Sequence, residues 1–255
     1  MNIFSEIWNT LLYIPILNIL VLFYHLFFSN FGLAIIAITL VIRVVTYPLS
    51  KPALELAQKQ KALQPEIEKL KKKYKNKQVF AKKQMELYRE HGINPAAGCL
   101  PQIVQLIVVL ALYKVFTNLL AANGVAVAEI NALLYNWDFL KFAEGARLNT
   151  TFLYLNLAKP DPVYVLPVLA AGAQFLMSKY TMATAGKMEK PVKDTTDKKD
   201  DVMYNMQQQM TYLMPIMTLV IGIRLPSGLV LYWFVSTFLI VLQYALAKKK
   251  PAGQS

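Results

Sequence analysis

Residues 31–49 form an apolar run of nineteen residues interrupted by one charge, Arg43. Lipid offers the backbone no hydrogen-bond partners, so a stretch that enters a bilayer must satisfy its own peptide groups, as a helix does. At a rise of about 1.5 Å per residue the run reaches about 28 Å, close to the ~30 Å hydrocarbon core of a bilayer. It reads as a transmembrane helix, and the rest of the chain must be compatible with that. Arg43 lies about 18 Å along it. A guanidinium at such a depth costs about 2.5–3.5 kcal/mol on insertion scales and keeps its proton. A chain carrying one there needs a wet cavity or an anionic partner, which makes Arg43 the first candidate functional residue.

Four further apolar stretches follow, at residues 97–120, 163–178, 208–224 and 228–247. Charged residues make up 16% of the chain, against about 25% in a soluble domain, in keeping with a polytopic membrane protein. The third and fourth spans are short, which predicts local thinning of the bilayer or close cover by neighbouring helices. The net charge of +12 is not scattered. Residues 50–95 hold twelve Lys and Arg against five acidic residues, and further basic clusters sit at 179–204 and 248–255. With five spans these three segments fall on one side, the cytoplasm by the positive-inside rule. The N-terminus is then outside and the C-terminus inside. Residues 121–162 become an extracytoplasmic loop, poor in basic residues, in which Tyr135 and Trp137 suit the membrane surface. No groove-reading element accompanies the basic clusters, so anionic lipid rather than specific nucleic acid is the expected partner.

Within residues 1–30, Pro15 interrupts the apolar stretch, and Asn18, His25 and Ser29 recur at spacings that share a helical face. This predicts an amphipathic helix lying in the interface; an additional span over residues 11–28 is the alternative. No Lys or Arg precedes Arg43, unlike the n-region of a signal peptide. Pro48 is expected to close the first span. Leu54, Ala57, Leu63, Ile67, Leu70 and Tyr74 then recur mostly at three and four, and a second helix is expected at residues 78–90, with the break at 75–77. Together they predict a basic cytoplasmic helical hairpin. Met203, Met206, Met210, Met214 and Met217 read as packing or lipid contact, or as an adaptable apolar surface for varied substrates. Cys99 is the only cysteine and reads as a small buried apolar residue. His25 and His91 have no ligand-spaced companions, and no phosphate loop, zinc-protease or nucleophile-elbow motif is present, so neither a metal or other cofactor nor an enzyme is expected.

Several segments carry a resemblance. The run from Arg43 through Val-Val-Thr-Tyr to Pro48 and Leu49, followed by Leu63-Gln-Pro65, resembles the YidC/Oxa1/Alb3 family of membrane protein insertases. So do GCLPQIVQLIVVLALY at 98–113, FLYLNLAKPDP at 152–162 and MPIMTLVIGIRLPSGLVLYWFVS at 214–236, in order and with a basic hairpin between the first two. The chain looks like a short bacterial member without the large periplasmic domain of the long form. The resemblance implies an all-α fold of five core transmembrane helices around a hydrophilic groove open to the cytoplasm and to lipid, in a bacterial inner membrane. It implies nascent membrane proteins as substrates, with the Sec translocon and the ribosome as further candidate partners, and a hairpin required for insertion. Arg43 matches a groove arginine, Thr39 a groove position one turn earlier, and Gln105 a glutamine of the second span. Trp233 falls where the family often has a groove tyrosine, and Tyr232, Gln174 and Ser236 are further candidate groove residues.

Spacing supports the groove separately. Thr39 and Arg43 stand at i and i+4 and face one way. Gln105, Gln174, Ser236, Thr237 and Gln243 add polar groups on other spans. Ordinary interhelical hydrogen bonds of about 0.6–2 kcal/mol are the competing reading for the glutamines, and snorkelling toward the cytoplasmic surface the competing reading for Arg43. At the level of function the rivals are a small anion or solute transporter with Arg43 as its binding site, and a passive assembly scaffold. Transporters show repeated halves with matching broken helices, and no such repeat is present here.

Overall fold

The computed structural model describes residues 3–74, 76–93, 100–120, 127–143, 146–185 and 201–247. Cys99 lies outside them, and the side chains of Met203, Met206 and Met210 are not described. The described chain is mostly helical. Helices α1 (Ile3–Trp8) and α2 (Ile14–Leu26) flank a π-helical turn at Asn9–Tyr13. Helix α3 spans Phe31–Ala62, α4 Gln64–Lys73, α5 Lys77–Glu90 and α6 Leu100–Leu120. A short helix α7 (Val127–Leu133) and a two-residue antiparallel pairing of β1 (Thr151–Phe152) with β2 (Leu155–Asn156) precede α8 (Val165–Ala185), α9 (Asp201–Gly222) and α10 (Ser227–Ala247).

Among the described residues, three stretches are long and apolar enough to cross a membrane: Ser5–Leu26, Phe31–Gln60 and Ser227–Leu246. Ile103–Leu119 and Tyr212–Gly222 are shorter apolar helices. Each long helix has apolar residues on its outer as well as its inner side. Leu40 and Val44 on α3, Leu106 and Leu110 on α6, and Phe238 and Leu242 on α10 are all exposed. Apolar side chains exposed on successive turns are costly in water and unremarkable against lipid.

The chain divides into two compact units. The first comprises Met1–Val45, Val104–Ala171 and Thr218–Thr237. Its core joins Leu17, Leu20 and Val21 of α2, Phe31, Ile35 and Ile38 of α3, Leu112, Val115 and Phe116 of α6, and Leu229 and Tyr232 of α10. Asn30 caps α3 by accepting from the Leu33 N–H at 3.0 Å. The polar residues of α2 do share a face, as their spacing predicts, but that face looks onto protein. Asn18 is buried; its amide donates to the Leu133 carbonyl at 3.2 Å and its oxygen accepts from the Tyr135 N–H at 2.6 Å. His25 bonds the Leu140 carbonyl at 3.3 Å. These side chains serve backbone groups at the end of α7 and in the turns that follow it.

The segment between α7 and α8 is pinned at its other end too. Phe152 packs so tightly over Gly32 that a Cβ there would stand 2.2 Å from its ring. Ser227 and Gly228, at the start of α10, donate their backbone N–H groups to the carbonyls of Lys159 (2.8 Å) and Leu157 (3.0 Å). Asp161 is buried at the start of α8 and accepts from the N–H groups of Leu166 (2.8 Å) and Val163 (2.9 Å) and from the Tyr154 hydroxyl (3.1 Å). Burial opposes its charge, but the hydrogen bonds from Leu166, Val163, Tyr154 and Tyr164 outweigh it and hold the carboxyl below its usual range.

The second unit comprises Thr46–Ile103, Gly172–Met217 and Phe238–Ser255. Leu56, Leu63, Ile67, Phe80, Leu87, Tyr88 and Ile93 share one apolar cluster, so the end of α3, α4 and α5 pack together. The lysines point away: Lys59, Lys69, Lys72, Lys73 and Lys82 are exposed. Two helix boundaries correct the expectation from sequence. Pro48 does not close the helix; α3 continues through Pro48 and Pro52 to Ala62. A proline inside a helix removes one N–H donor and frees one carbonyl, a loss that neighbouring hydroxyls and small ladder adjustments can absorb. The break comes instead at Leu63, where Pro65 opens α4 in its favoured first-turn position.

Candidate functional site

Arg43, on α3 in the first unit, is buried, with only 8% of its surface exposed. Three helices supply its surroundings. Gln105 comes from α6, and Tyr232 and Ser236 come from α10, where a spacing of four puts them on one face. The guanidinium Nη2 donates to Gln105 Oε1 at 3.1 Å, to the Ser236 carbonyl at 3.1 Å and to Ser236 Oγ at 2.8 Å. The Ser236 hydroxyl donates to Gln105 Oε1 at 3.0 Å, and Gln105 Nε2 donates to the Tyr232 hydroxyl at 3.0 Å. The four residues therefore form one connected network, and Tyr232 within it is completely buried.

Neutral protein dipoles hold Arg43 in this network. Two Nη2 hydrogens are shared among three acceptors, while the buried Nε donates to nothing among the described residues. No carboxylate forms an ion pair with Arg43 among those residues. Hydrogen bonds to a charged group are worth about 1.5–3 kcal/mol each, enough to offset much of the insertion cost without neutralising the charge. A desolvated cation held by neutral dipoles retains a strong capacity to attract an anion.

The other sequence-selected residues divide. Thr39 lies one turn before Arg43 and is fully buried, but its hydroxyl donates to the Ile35 carbonyl of its own helix at 2.6 Å. Trp233 is half-buried and joins no hydrogen bond of the network; its neighbour Tyr232 makes that contact. Gln174 is buried on α8 in the second unit. One cation escaped attention from sequence. Lys114 on α6 donates to Asn9 Oδ1 at 3.0 Å and sits 4.8 Å from the centre of the Tyr13 ring. A lysine six residues from the end of an apolar helix is a readable signal.

Long apolar helices with apolar outer faces define a mostly helical chain with several candidate membrane spans, and Arg43 is a buried cation within one of them. Comparison with known proteins then specifies the class. A family model described as 60Kd inner membrane protein matches residues 22–253. The membrane protein insertase YidC of Fusobacterium nucleatum is 37% identical over 225 residues, covering 88% of this chain and 89% of that one. Membrane protein insertase YidC 2 of Bacillus anthracis is 34% identical over 250 residues, covering 96% and 82%. A crystal structure of active YidC insertase with its first transmembrane domain resolved is similar in fold, with a TM-score of 0.57 and 22% identity, over 98% of this chain and 47% of that one. The chain belongs to the YidC/Oxa1/Alb3 family of membrane protein insertases.

Proposed function

We propose that this protein inserts newly made proteins into a bacterial inner membrane and helps them fold, with the Arg43 network receiving the polar end of each substrate. The observation that carries this reading is the state of Arg43: buried, held by neutral partners, and with Nε undonated among the described residues. No covalent step and no nucleotide hydrolysis are invoked. A substrate segment enters a groove lined by Arg43, Gln105, Tyr232 and Ser236, with Thr39 and Trp233 as further lining. Its short hydrophilic end, often acidic, exchanges places with Gln105 and Ser236 as acceptor for the guanidinium. Charge-assisted bonds to a carboxylate are roughly twice as strong as neutral ones, so the exchange favours capture. The apolar part of the substrate then moves into lipid, where its own burial completes the reaction. Insertase relatives support this role over solute transport.

In this reading the three basic segments face the cytoplasm, α4 and α5 meet the anionic membrane surface, and the N-terminus is outside. The N-terminal helix then lies along the outer interface, although its length would also suffice to cross. The direction of its bonds supports the interfacial placement. Tyr13 meets Asn118 near the end of α6, Asn18 meets residues 133 and 135, Tyr24 meets Asn149, and His25 meets Leu140. Those partners are in the last turn of α6 and in residues 133–149, the segment read as extracytoplasmic.

The test is insertion of translated substrates, and complementation of insertase-depleted cells, by Arg43→Ala and Arg43→Lys. Arg43→Ala should lose substrates with acidic ends and spare those with neutral ends. Arg43→Lys keeps charge but not the planar fork and should retain partial activity. Undiminished insertion of acidic-ended substrates by Arg43→Ala would remove the electrostatic step.

A further inference from the structure

A second cation, Lys114, stands apart from the Arg43 network. It lies nine residues beyond Gln105 on α6, about 13 Å further along the helix. Its ammonium donates to Asn9 Oδ1 (3.0 Å) and rests over the Tyr13 ring (4.8 Å). Asn118, one turn on, donates to the Tyr13 hydroxyl at 2.8 Å and so fixes the ring. Asn9 and Tyr13 are the first and last residues of the π-helical turn, a rare irregularity that tends to mark functional positions. The turn presents both side chains to the same lysine. Among the described residues Lys114 makes no ion pair, although Glu6 lies only three residues before Asn9. Lys114, Tyr113 and Leu110 are exposed, so the lysine stands at the surface beside an apolar helix face and not in the core.

We infer that Lys114, Asn9 and Tyr13 form a binding site for the phosphate of one membrane phospholipid, with anionic headgroups preferred. The chemistry is specific. An ammonium has three donors, of which the Asn9 oxygen takes one and the Tyr13 face attracts the charge without neutralising it. The remaining capacity is met by an anion at the depth where an apolar helix gives way to headgroups. The exposed face of Tyr113 and Leu110 is what acyl chains would cover. A long lysine with nothing to bind would snorkel into water; this one is turned onto the N-terminal segment. The bound lipid would tie that segment to α6. The leaflet it occupies rests on the orientation proposed above, but the site itself does not, and it does not depend on the insertase reading.

Native mass spectrometry of the full chain in detergent, titrated with phosphatidylglycerol or phosphatidylcholine, tests the assignment. One tightly held phosphatidylglycerol is expected, with Lys114→Gln lowering its affinity about fivefold and Lys114→Arg keeping it. Asn9→Ala, which leaves the lysine in place, should lower affinity to a smaller extent and serves if Lys114→Gln is poorly folded. Lys141→Gln removes an exposed cation elsewhere in the same unit and should change nothing. Equal binding by wild type and Lys114→Gln, or an equal loss in Lys141→Gln, would overturn the site. Displacement of the lipid by millimolar inorganic phosphate would overturn the lipid assignment. Insertion activity is not the readout, so loss of the insertase reading would leave this result standing.

Discussion

Replacing Gln105 by glutamate should stabilise the fold and impair the function. Gln105 Oε1 already accepts from Arg43 at 3.1 Å and from Ser236 at 3.0 Å, so a carboxylate in its place inherits both bonds. It also gains a Coulomb attraction of about 4 kcal/mol at 4 Å and an effective dielectric of 20. Desolvating the new carboxylate costs several kcal/mol, and the donor to Tyr232 is lost, although that hydroxyl can donate in turn. The net change in stability is small and favourable, about 0–2 kcal/mol. Gln105→Leu differs in sign: it strips an acceptor from a buried guanidinium and a partner from a buried tyrosine, at about 2–4 kcal/mol. Function should respond otherwise. In Gln105→Glu the substrate's acidic end must displace an internal carboxylate instead of an amide. A handicap of about 1.4 kcal/mol is already tenfold in capture. The assay pairs thermal unfolding in detergent with insertion of acidic- and neutral-ended substrates into proteoliposomes. The expected result is an unfolding temperature at or above wild type, about tenfold less insertion of acidic-ended substrates, and unchanged insertion of neutral-ended ones. A well-folded Gln105→Glu that inserts both at wild-type rates would refute substrate capture by Arg43.

Three further outcomes concern the scaffold. Gly32→Ala places a methyl inside the Phe152 ring and should cost about 1–3 kcal/mol in a thermal melt, with Phe152→Ala in the same chain restoring part of the loss. Asn18→Leu leaves the Leu133 carbonyl and the Tyr135 N–H without their buried partner, so a loss of about 2–4 kcal/mol and faster proteolysis within residues 127–149 are expected. The folded carboxyl of Asp161 titrates below its unfolded value, so its contribution is present above the unfolded value, near pH 4, and is lost as pH falls through the folded value. Asp161→Asn should therefore lower the unfolding temperature at pH 7 by an amount that shrinks as pH falls below about 4, and a deficit that does not change with pH would assign the loss to geometry instead of charge.

The helices were legible because lipid-compatible runs have few alternatives, and Arg43 because a charge stands out in such a run. Periodicity also put Thr39 on the face of Arg43, but spacing cannot show that its hydroxyl is spent on the Ile35 carbonyl. The choice between Tyr232 and Trp233 was equally hidden. Neighbours on a helix point about 100° apart, and only packing decides which one reaches Gln105. Pro48 reads as a stop from local chemistry, yet the helix runs through it to Ala62, because tertiary neighbours can support a missing bond that an isolated helix cannot. The β1–β2 pairing has two residues per strand, too few to show a period of two. The inward face of α2 carried its polar residues in view, but their partners lie more than a hundred positions away.

Site-directed photocrosslinking during translation tests the central claim most directly. A photoreactive residue at position 233, next to Tyr232 on α10, would be presented with stalled nascent chains that differ only in the charge of the leading end. Acidic-ended chains should crosslink more strongly than neutral-ended ones, and Arg43→Ala should abolish the difference. Yields independent of end charge, or a preference that survives Arg43→Ala, would contradict reception of the substrate's polar end by Arg43.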